Sequence, residues 1–310
     1  MMKMISELTD YEHVEAQFLI GSVSKGVNAN GGSYYSVELR DASGSITAKK
    51  WDATPADEQI FVSGNVISLV GETNKYKDQL QLKILSAELV SLDDIDVERF
   101  VKAPPVSKEE LIKRFKDHVS SINNKDCRQI IDYFLKKFGD KVFSYPAAVS
   151  IHHEYSSGLL MHSVTMADTA NYLCPIYDVD HDLLIAGCLL HDMGKMIELE
   201  GPIVFKYSTE GKLLGHISIM AAEIRKAAEE LGIKSEVPLL LEHMVLSHHG
   251  QQEFGSPVMP LTKEALLLSL IDNLDSKMVV VNKALADVEP GNFSNKVFSL
   301  DNRSFYKPEE

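Results

Sequence analysis

The hydrophobic period changes near Ser107, and that change restricts the chain to a fold of two parts. Between residues 12 and 92 apolar and polar residues alternate. In YYSVELRD, Tyr35, Val37 and Leu39 share one face while Tyr34, Ser36 and Glu38 share the other, the pattern of a half-buried strand. VEAQFLIGSVSKGV, SITAKKW, FVSGNVISLVGETN and YKDQLQLKILSAELV have the same strand character, and turn signals at Asn28-Ala-Asn-Gly-Gly and Asp41-Ala-Ser-Gly interrupt them. Beyond Ser107 apolar residues recur at steps of three and four, first in KEELIKRFKDHV and DCRQIIDYFLKKF. Ser107 and Glu110 fit a capping box at the first of these helices. Further helices are expected over 158–173, 180–193, 214–231, 236–249 and 262–287. Alternation returns in IELEGPIVFKYSTEGKL, which predicts a β-hairpin inserted between helices over 197–213. The acidic run and Pro-Pro pair within 93–106 read as a linker. The expected organisation is multidomain α+β: an all-β domain over 1–92, a linker over 93–106 and an all-α domain over 107–310 with a small inserted hairpin.

Five short strands in about 80 residues imply a small barrel, and their order resembles an OB-fold. That resemblance implies a face for single-stranded nucleic acid, where aromatic rings stack on bases and lysines meet phosphates. Tyr34, Lys49, Trp51 and Tyr76, with Lys75 and Lys77, are its candidate residues. The competing assignment places Tyr35 and Trp51 in the barrel core. The formal charge of −14 argues against non-specific binding of a polyanion, yet a local lysine cluster and bound divalent metals can make one cleft positive. The three cysteines form no CxxC pair and give neither a disulfide framework nor zinc-finger spacing. No apolar run is long enough to span a bilayer, and the first residues lack a signal-peptide core, so the expected location is the cytoplasm with no membrane partner.

Nine of the eleven histidines lie between 152 and 249. His162 falls in a helical pattern, His191 and Asp192 close the next helix, His216 opens another, and His248–His249 end a fourth. Asp272 sits in ALLLSLIDNLDSKM, where a carboxylate on a buried face is costly unless it is paired or metal-bound. Asp275, three residues on, either supports such a site or faces solvent. Imidazole and carboxylate donors without thiolates suit manganese, iron, cobalt or zinc. His13, His118 and His181 read as surface residues, His243 is turned off the face of His248, and His153 is a candidate substrate contact.

His162, the pair His191–Asp192 followed by Gly194-Lys195, and Asp272 resemble the H…HD…D signature of HD-domain metal-dependent phosphohydrolases. With HHEYSSGLLMHS, LLHDMGK, EGKLLGHI and LSHHGQQEFGSPVMP behind an OB-like domain, nearly the whole chain resembles the YhaM family of 3′–5′ exoribonucleases. It departs at Met161, where an acidic or polar residue is expected; that position is not a ligand. The resemblance implies two divalent ions, manganese favoured, with cobalt, iron, zinc or magnesium as alternatives. His162, His191, Asp192 and Asp272 would hold one ion. Asp192 would bridge to a second, held also by His216, His248 and His249. Asp192 and Lys195 carry the catalytic expectation, Lys195 as a point charge for the substrate phosphate. Gly194 is expected to let the chain turn away after the pair. The implied substrate is single-stranded RNA, with DNA as a second candidate, degraded to nucleoside 5′-monophosphates. The tail NRSFYKP either contacts nucleic acid or packs on the helical domain.

Two other classes stay open on the residues alone. One is an HD phosphodiesterase for a small nucleotide or cyclic dinucleotide, with the barrel as an assembly module. The other is a non-enzymatic nucleic-acid-binding protein with an inactive HD domain. A homo-oligomer is compatible with any of the three.

Overall fold

The structure, a computed structural model, describes residues 2–28, 31–77, 79–91, 95–96, 99–100, 106–146, 157–201 and 205–309. Its contacts divide the chain into two compact units, one of Met1–Ser107, Ala148–Gly158 and Leu199–Lys206 and one of Lys108–Ala147, Leu159–Glu198 and Tyr207–Glu310.

In the first unit β1 (His13–Val27), β2 (Ser33–Asp41), β3 (Gly44–Lys50), β4 (Val66–Tyr76) and β5 (Gln79–Leu89) close into a barrel of order β1-β2-β3-β5-β4. The β3–β5 pairing is parallel, from Thr47↔Gln81 to Lys49↔Lys83, and the others are antiparallel. A short helix, α1 (Asp57–Ile60), lies between β3 and β4. The alternation in the sequence becomes inside and outside: Phe18, Ile20, Val37, Leu39, Ile67 and Leu82 fill the barrel. β1 is long enough to pair with both β2 and β4, and its register shifts between Ile20 and Ser22, where a bulge bends it from one partner to the other. This is the OB architecture expected from the sequence.

The segment expected as a linker is packed where it is described. Phe100 is buried against Leu19 and Val66 with Ile95 beside it, and the Arg99 carbonyl accepts from the Ala42 amide. An acidic run hid an apolar anchor.

The second unit contains α2 (Lys108–Ser121), α3 (Lys125–Phe138), α4 (Gly158–Tyr177), α5 (His181–Leu190), α6 (Lys195–Glu198), α7 (Thr209–Leu231), α8 (Val237–Ser247) and α9 (Lys263–Ala286). Asn124, Asp180, Ser208 and Thr262 cap α3, α5, α7 and α9 by accepting backbone N–H groups. Every residue from Leu183 to Leu190 is buried, so α5 is the central helix and its end opens inside the unit. The expected hairpin shrinks to β6 (Leu199–Glu200) paired with β7 (Lys206–Tyr207), because α6 and α7 claim the flanking residues. α9 is not buried all round: Leu266, Leu270, Leu274 and Met278 form an exposed row at four-residue steps, and Asp272 lies off that row, partly buried. After α9 the tail pairs back on the chain, with Ser294 donating to the Phe305 carbonyl and Val297 to that of Arg303. Among the described residues no helix is long and apolar enough to cross a membrane.

Candidate metal centre

The α5 helix ends at the pair that matters. His191 still donates its amide to the Gly187 carbonyl, four residues back, but Met193 and Lys195 donate to Leu190 and Asp192, three residues back. Tightening from four-residue to three-residue bonding rotates successive side chains, and both His191 and Asp192 end up buried in one place. Gly194 does not adopt the left-handed conformation expected of a chain-turning glycine. Its role is close approach: a Cβ there would stand 2.2 Å from the His216 carbonyl oxygen.

α4 brings His162, α7 His216, the end of α8 His248 and His249, and α9 Asp272. The His162 Nε2 is 3.3 Å from the His191 Nε2 and 3.3 Å from the Asp272 Oδ1. The two Asp192 oxygens face different partners. Oδ2 is 3.4 Å from the His191 Nε2 and 3.9 Å from the His162 Nε2. Oδ1 is 3.3 Å from the His216 Nε2 and 3.8 Å from the His248 Nε2. Donor atoms of His162, His191 and Asp192 lie within 4.8 Å of one another, as do those of His216, His248 and His249. All seven ligand candidates from the sequence are therefore gathered here.

Four of the five rings, those of His162, His191, His216 and His248, are held by their other nitrogen. The Nδ1 of His191 donates to the Cys188 carbonyl at 3.0 Å, and that of His248 to the Val245 carbonyl at 2.7 Å. The Nδ1 of His162 meets the Asp275 carboxylate at 2.6 Å, and that of His216 meets the Glu198 carboxylate at 3.2 Å. Each Nε2 is thereby aimed inward. The Asp192 Oδ1, His216 Nε2 and His248 Nε2 are buried without a hydrogen-bond partner. Three orphaned polar atoms converging on one point are expensive unless a cation completes them, so the residues fit a metal.

The electrostatics agree. Burial alone would raise the Asp192 carboxyl, but Lys195 and His191 hold it well below the usual range. Asp272 is likewise opposed by burial and is lowered to about 2, chiefly by the His162 hydrogen bond. Burial opposes charge on His162, but Asp272 and Asp275 outweigh it and raise the imidazole to about 9. Burial keeps His248 neutral, the form that ligates metal. The Lys195 ammonium donates to the Asp192 Oδ2 at 2.7 Å.

Other candidates fall elsewhere. In the barrel the Tyr34 and Trp51 rings lie 4.9 Å apart, and the Lys49 ammonium sits 5.2 Å and 5.3 Å from them. Tyr34 lies across Gly26, where a Cβ would meet the ring at 2.6 Å. Both rings are half-buried at the rim, whereas Tyr35 is core. Tyr76 does not join them: it pairs with Gln79, on the far side of the β3–β5 ladder from Trp51, roughly 20 Å along the strand direction. His153 lies outside the described residues. His243 accepts from the Leu261 amide, away from the centre. His118 is buried, not on the surface: it bonds Asp168 and Asn171, and His181 is half-buried against Asn171 and Asp182. Glu198 was not foreseen. Its one sequence signal is a charge surrounded by Met196, Ile197 and Leu199.

A family model for the HD domain matches residues 159–277, and one described as "Putative helicase" matches residues 102–182. The 3′–5′ exoribonuclease YhaM of Geobacillus sp. (strain WCH70) is 45% identical over 299 residues, covering 96% of this chain and 92% of that protein. The chain belongs to the YhaM family. The YhaM resemblance expected from LLHDMGK and its neighbours thus extends along nearly the whole length. Solved structures similar to the barrel include the second OB-fold domain of replication protein A from Methanococcus maripaludis (19% identity, TM-score 0.26, 29% of this chain and 96% of that one). An OB domain from Thermoplasma acidophilum is also similar (14% identity, TM-score 0.24, 29% and 85%). For this YhaM-family chain the barrel assignment rests on its own strand order.

Proposed function

We propose that the chain is a metal-dependent 3′–5′ exoribonuclease that shortens single-stranded RNA one nucleotide at a time. The observation that carries this reading is the division of the Asp192 carboxylate: Oδ2 faces His162 and His191, and Oδ1 faces His216 and His248. His162, His191, Asp192 and Asp272 would hold one divalent ion; Asp192, His216, His248 and His249 would hold another. The donors, imidazole and carboxylate without thiolate, suit Mn2+. Bound divalent ions supply a hydroxide nucleophile and neutralise phosphate charge.

In the reaction a water oxygen gives up a proton to solvent and bonds to the phosphorus of the 3′-terminal nucleotide while the bond to the preceding 3′ oxygen breaks. The leaving oxygen takes a proton from solvent, and the products are a nucleoside 5′-monophosphate and a shorter strand with a free 3′-hydroxyl. Lys195 is held at the same carboxylate as the donor set. From there its ammonium would meet the scissile phosphate as a point charge. Tyr34 and Trp51 stack bases of the remaining strand and Lys49 neutralises its phosphate, a sequence-tolerant mode. Support for RNA comes from the name of the Geobacillus relative. DNA is the second polymer to test.

The experiment is digestion of 5′-end-labelled single-stranded RNA and DNA, beside a nucleotide and cyclic-dinucleotide panel, with Mn2+ and with chelator. The expected result is a metal-dependent ladder receding from the 3′ end of RNA. Turnover of a small nucleotide with RNA left intact would overturn the reading.

A further inference from the structure

The two halves of the centre are built alike. Each contains one histidine held by a backbone carbonyl, His191 by Cys188 and His248 by Val245. Each also contains one held by a carboxylate, His162 by Asp275 and His216 by Glu198. The His216 carboxylate is the more constrained of the two. Glu198 ends the four-residue α6, is buried, and uses one oxygen, Oε1, for both the His216 amide at 3.0 Å and its Nδ1 at 3.2 Å.

The local backbone explains this double duty. Gly215 interrupts α7 with φ 72°, a left-handed conformation that suits glycine, so His216 begins a new helical segment. Its amide therefore lacks the carbonyl it would have inside an unbroken helix, and Glu198 supplies the acceptor. The backbone of Glu198 is fixed from the opposite side. Its carbonyl accepts from the Ser208 amide at 2.9 Å, and a Cβ at Gly211 would stand 2.1 Å from that oxygen. A carboxylate so clamped sets both the position and the tautomer of the ring, and it leaves Nε2 facing the Asp192 Oδ1.

We propose that Glu198 is the positioning residue for the half-site of His216, His248 and His249, and that it controls metal occupancy there independently of the half-site of His162, His191 and Asp272. This rests on the two-ion reading above. It adds that the halves can be emptied separately, although Asp192 joins them.

The test uses the full chain with Glu198→Gln, Glu198→Ala and Asp275→Asn variants. Mn2+ stoichiometry is read by elemental mass spectrometry after dialysis, and affinity by calorimetric titration. Wild type is expected to bind two ions. Glu198→Ala should retain one ion at wild-type affinity while the other weakens roughly 10–100-fold. Glu198→Gln keeps an acceptor for the amide and should restore part of that loss. Asp275→Asn should weaken the ion that Glu198→Ala spares, so the double variant loses both. Equal weakening of both ions in the Glu198 variants, or unchanged binding of both, overturns the proposal while leaving the two-ion reading intact. Fewer than two ions in the wild type overturns both. If the alanine variant does not fold, the glutamine variant decides by the same measurement.

Discussion

Gly194→Ala is the sharpest probe of how the centre is assembled. The added Cβ would lie 2.2 Å from the His216 oxygen and 3.0 Å from the His216 carbonyl carbon and the Met220 Cβ. An ordinary carbon–oxygen contact is about 3.3 Å, so one backbone segment must retreat by about 1 Å. The segment that yields carries either Asp192 or His216, whose facing atoms are 3.3 Å apart. Overpacking of this kind costs about 1–3 kcal/mol, and a shift of about 1 Å in a reacting site costs roughly 100-fold in rate. Gly187→Ala is the control. There the nearest atom is the Met244 Cε at 2.3 Å, a similar overlap with the end of a flexible side chain, and helix propensity offsets about 1 kcal/mol. The assays are urea unfolding, Mn2+ stoichiometry and single-turnover RNA cleavage. The expected result is a Gly194→Ala protein that folds, binds Mn2+ more weakly at the His216 side and cleaves about 100-fold more slowly, beside a Gly187→Ala protein close to wild type in all three. Wild-type metal binding in Gly194→Ala, or equal losses in both variants, would refute the argument from backbone contact.

Asp192→Asn should remove both ions and lower single-turnover cleavage by roughly 1000-fold while the far-ultraviolet spectrum is unchanged; retained Mn2+ would place the shared carboxylate elsewhere. Tyr34→Ala and Trp51→Ala should each weaken binding of a long RNA by about 1–3 kcal/mol and spare cleavage of a dinucleotide, and an equal loss on the dinucleotide would move these rings out of strand binding. In chelated protein the His162 proton, held to about 9 against 6.5 when unfolded, stabilises the fold fully below pH 6.5, and that stability is lost as pH rises to 9. The loss should approach roughly 3 kcal/mol in urea titrations and shrink in Asp275→Asn; a flat profile from pH 6 to 10 would contradict it. Burial pushes the Cys127 thiol up to about 12, so native protein at pH 8 should resist alkylation there until unfolded, which peptide mapping reads directly.

Local patterns carried a large part of this structure. Alternation in β2 gave the inward set Tyr35, Val37 and Leu39, because burial of one face of a strand is written at a period of two, and the apolar stretches gave α4, α5, α8 and α9 to within a few residues. The histidines were legible as a set because each stands beside apolar residues at a helix end or on a helix face. Glu198 was not, since its partner is an amide exposed by a break at Gly215, and neither the break nor the approach of α6 has a sequence period. In the sequence Gly194 has the look of a turn glycine, although its reason is a neighbouring carbonyl, a tertiary fact. His118 looked solvated because its partners, Asp168 and Asn171, lie some fifty residues away. Phe100 was lost among acidic neighbours whose composition suggested a free linker.

The parallel β3–β5 ladder has a consequence for how the barrel forms. It joins residues more than thirty positions apart and spans just Thr47–Lys49 on one side and Gln81–Lys83 on the other, whereas the hairpins β1–β2, β2–β3 and β4–β5 are local. The β1–β4 ladder is also non-local but holds seven pairs, from His13↔Glu72 to Leu19↔Val66, so the three-pair β3–β5 seam, which offsets loop-closure entropy least, is the late event in folding. Until it zips, the molecule is a curled ribbon with two bare strand edges, each able to accept a strand from another chain. Newly made protein is therefore most prone to aggregate just before the cylinder shuts, and conditions or substitutions that loosen Ala48 against Leu82 should lengthen that vulnerable interval more than they lower the final stability.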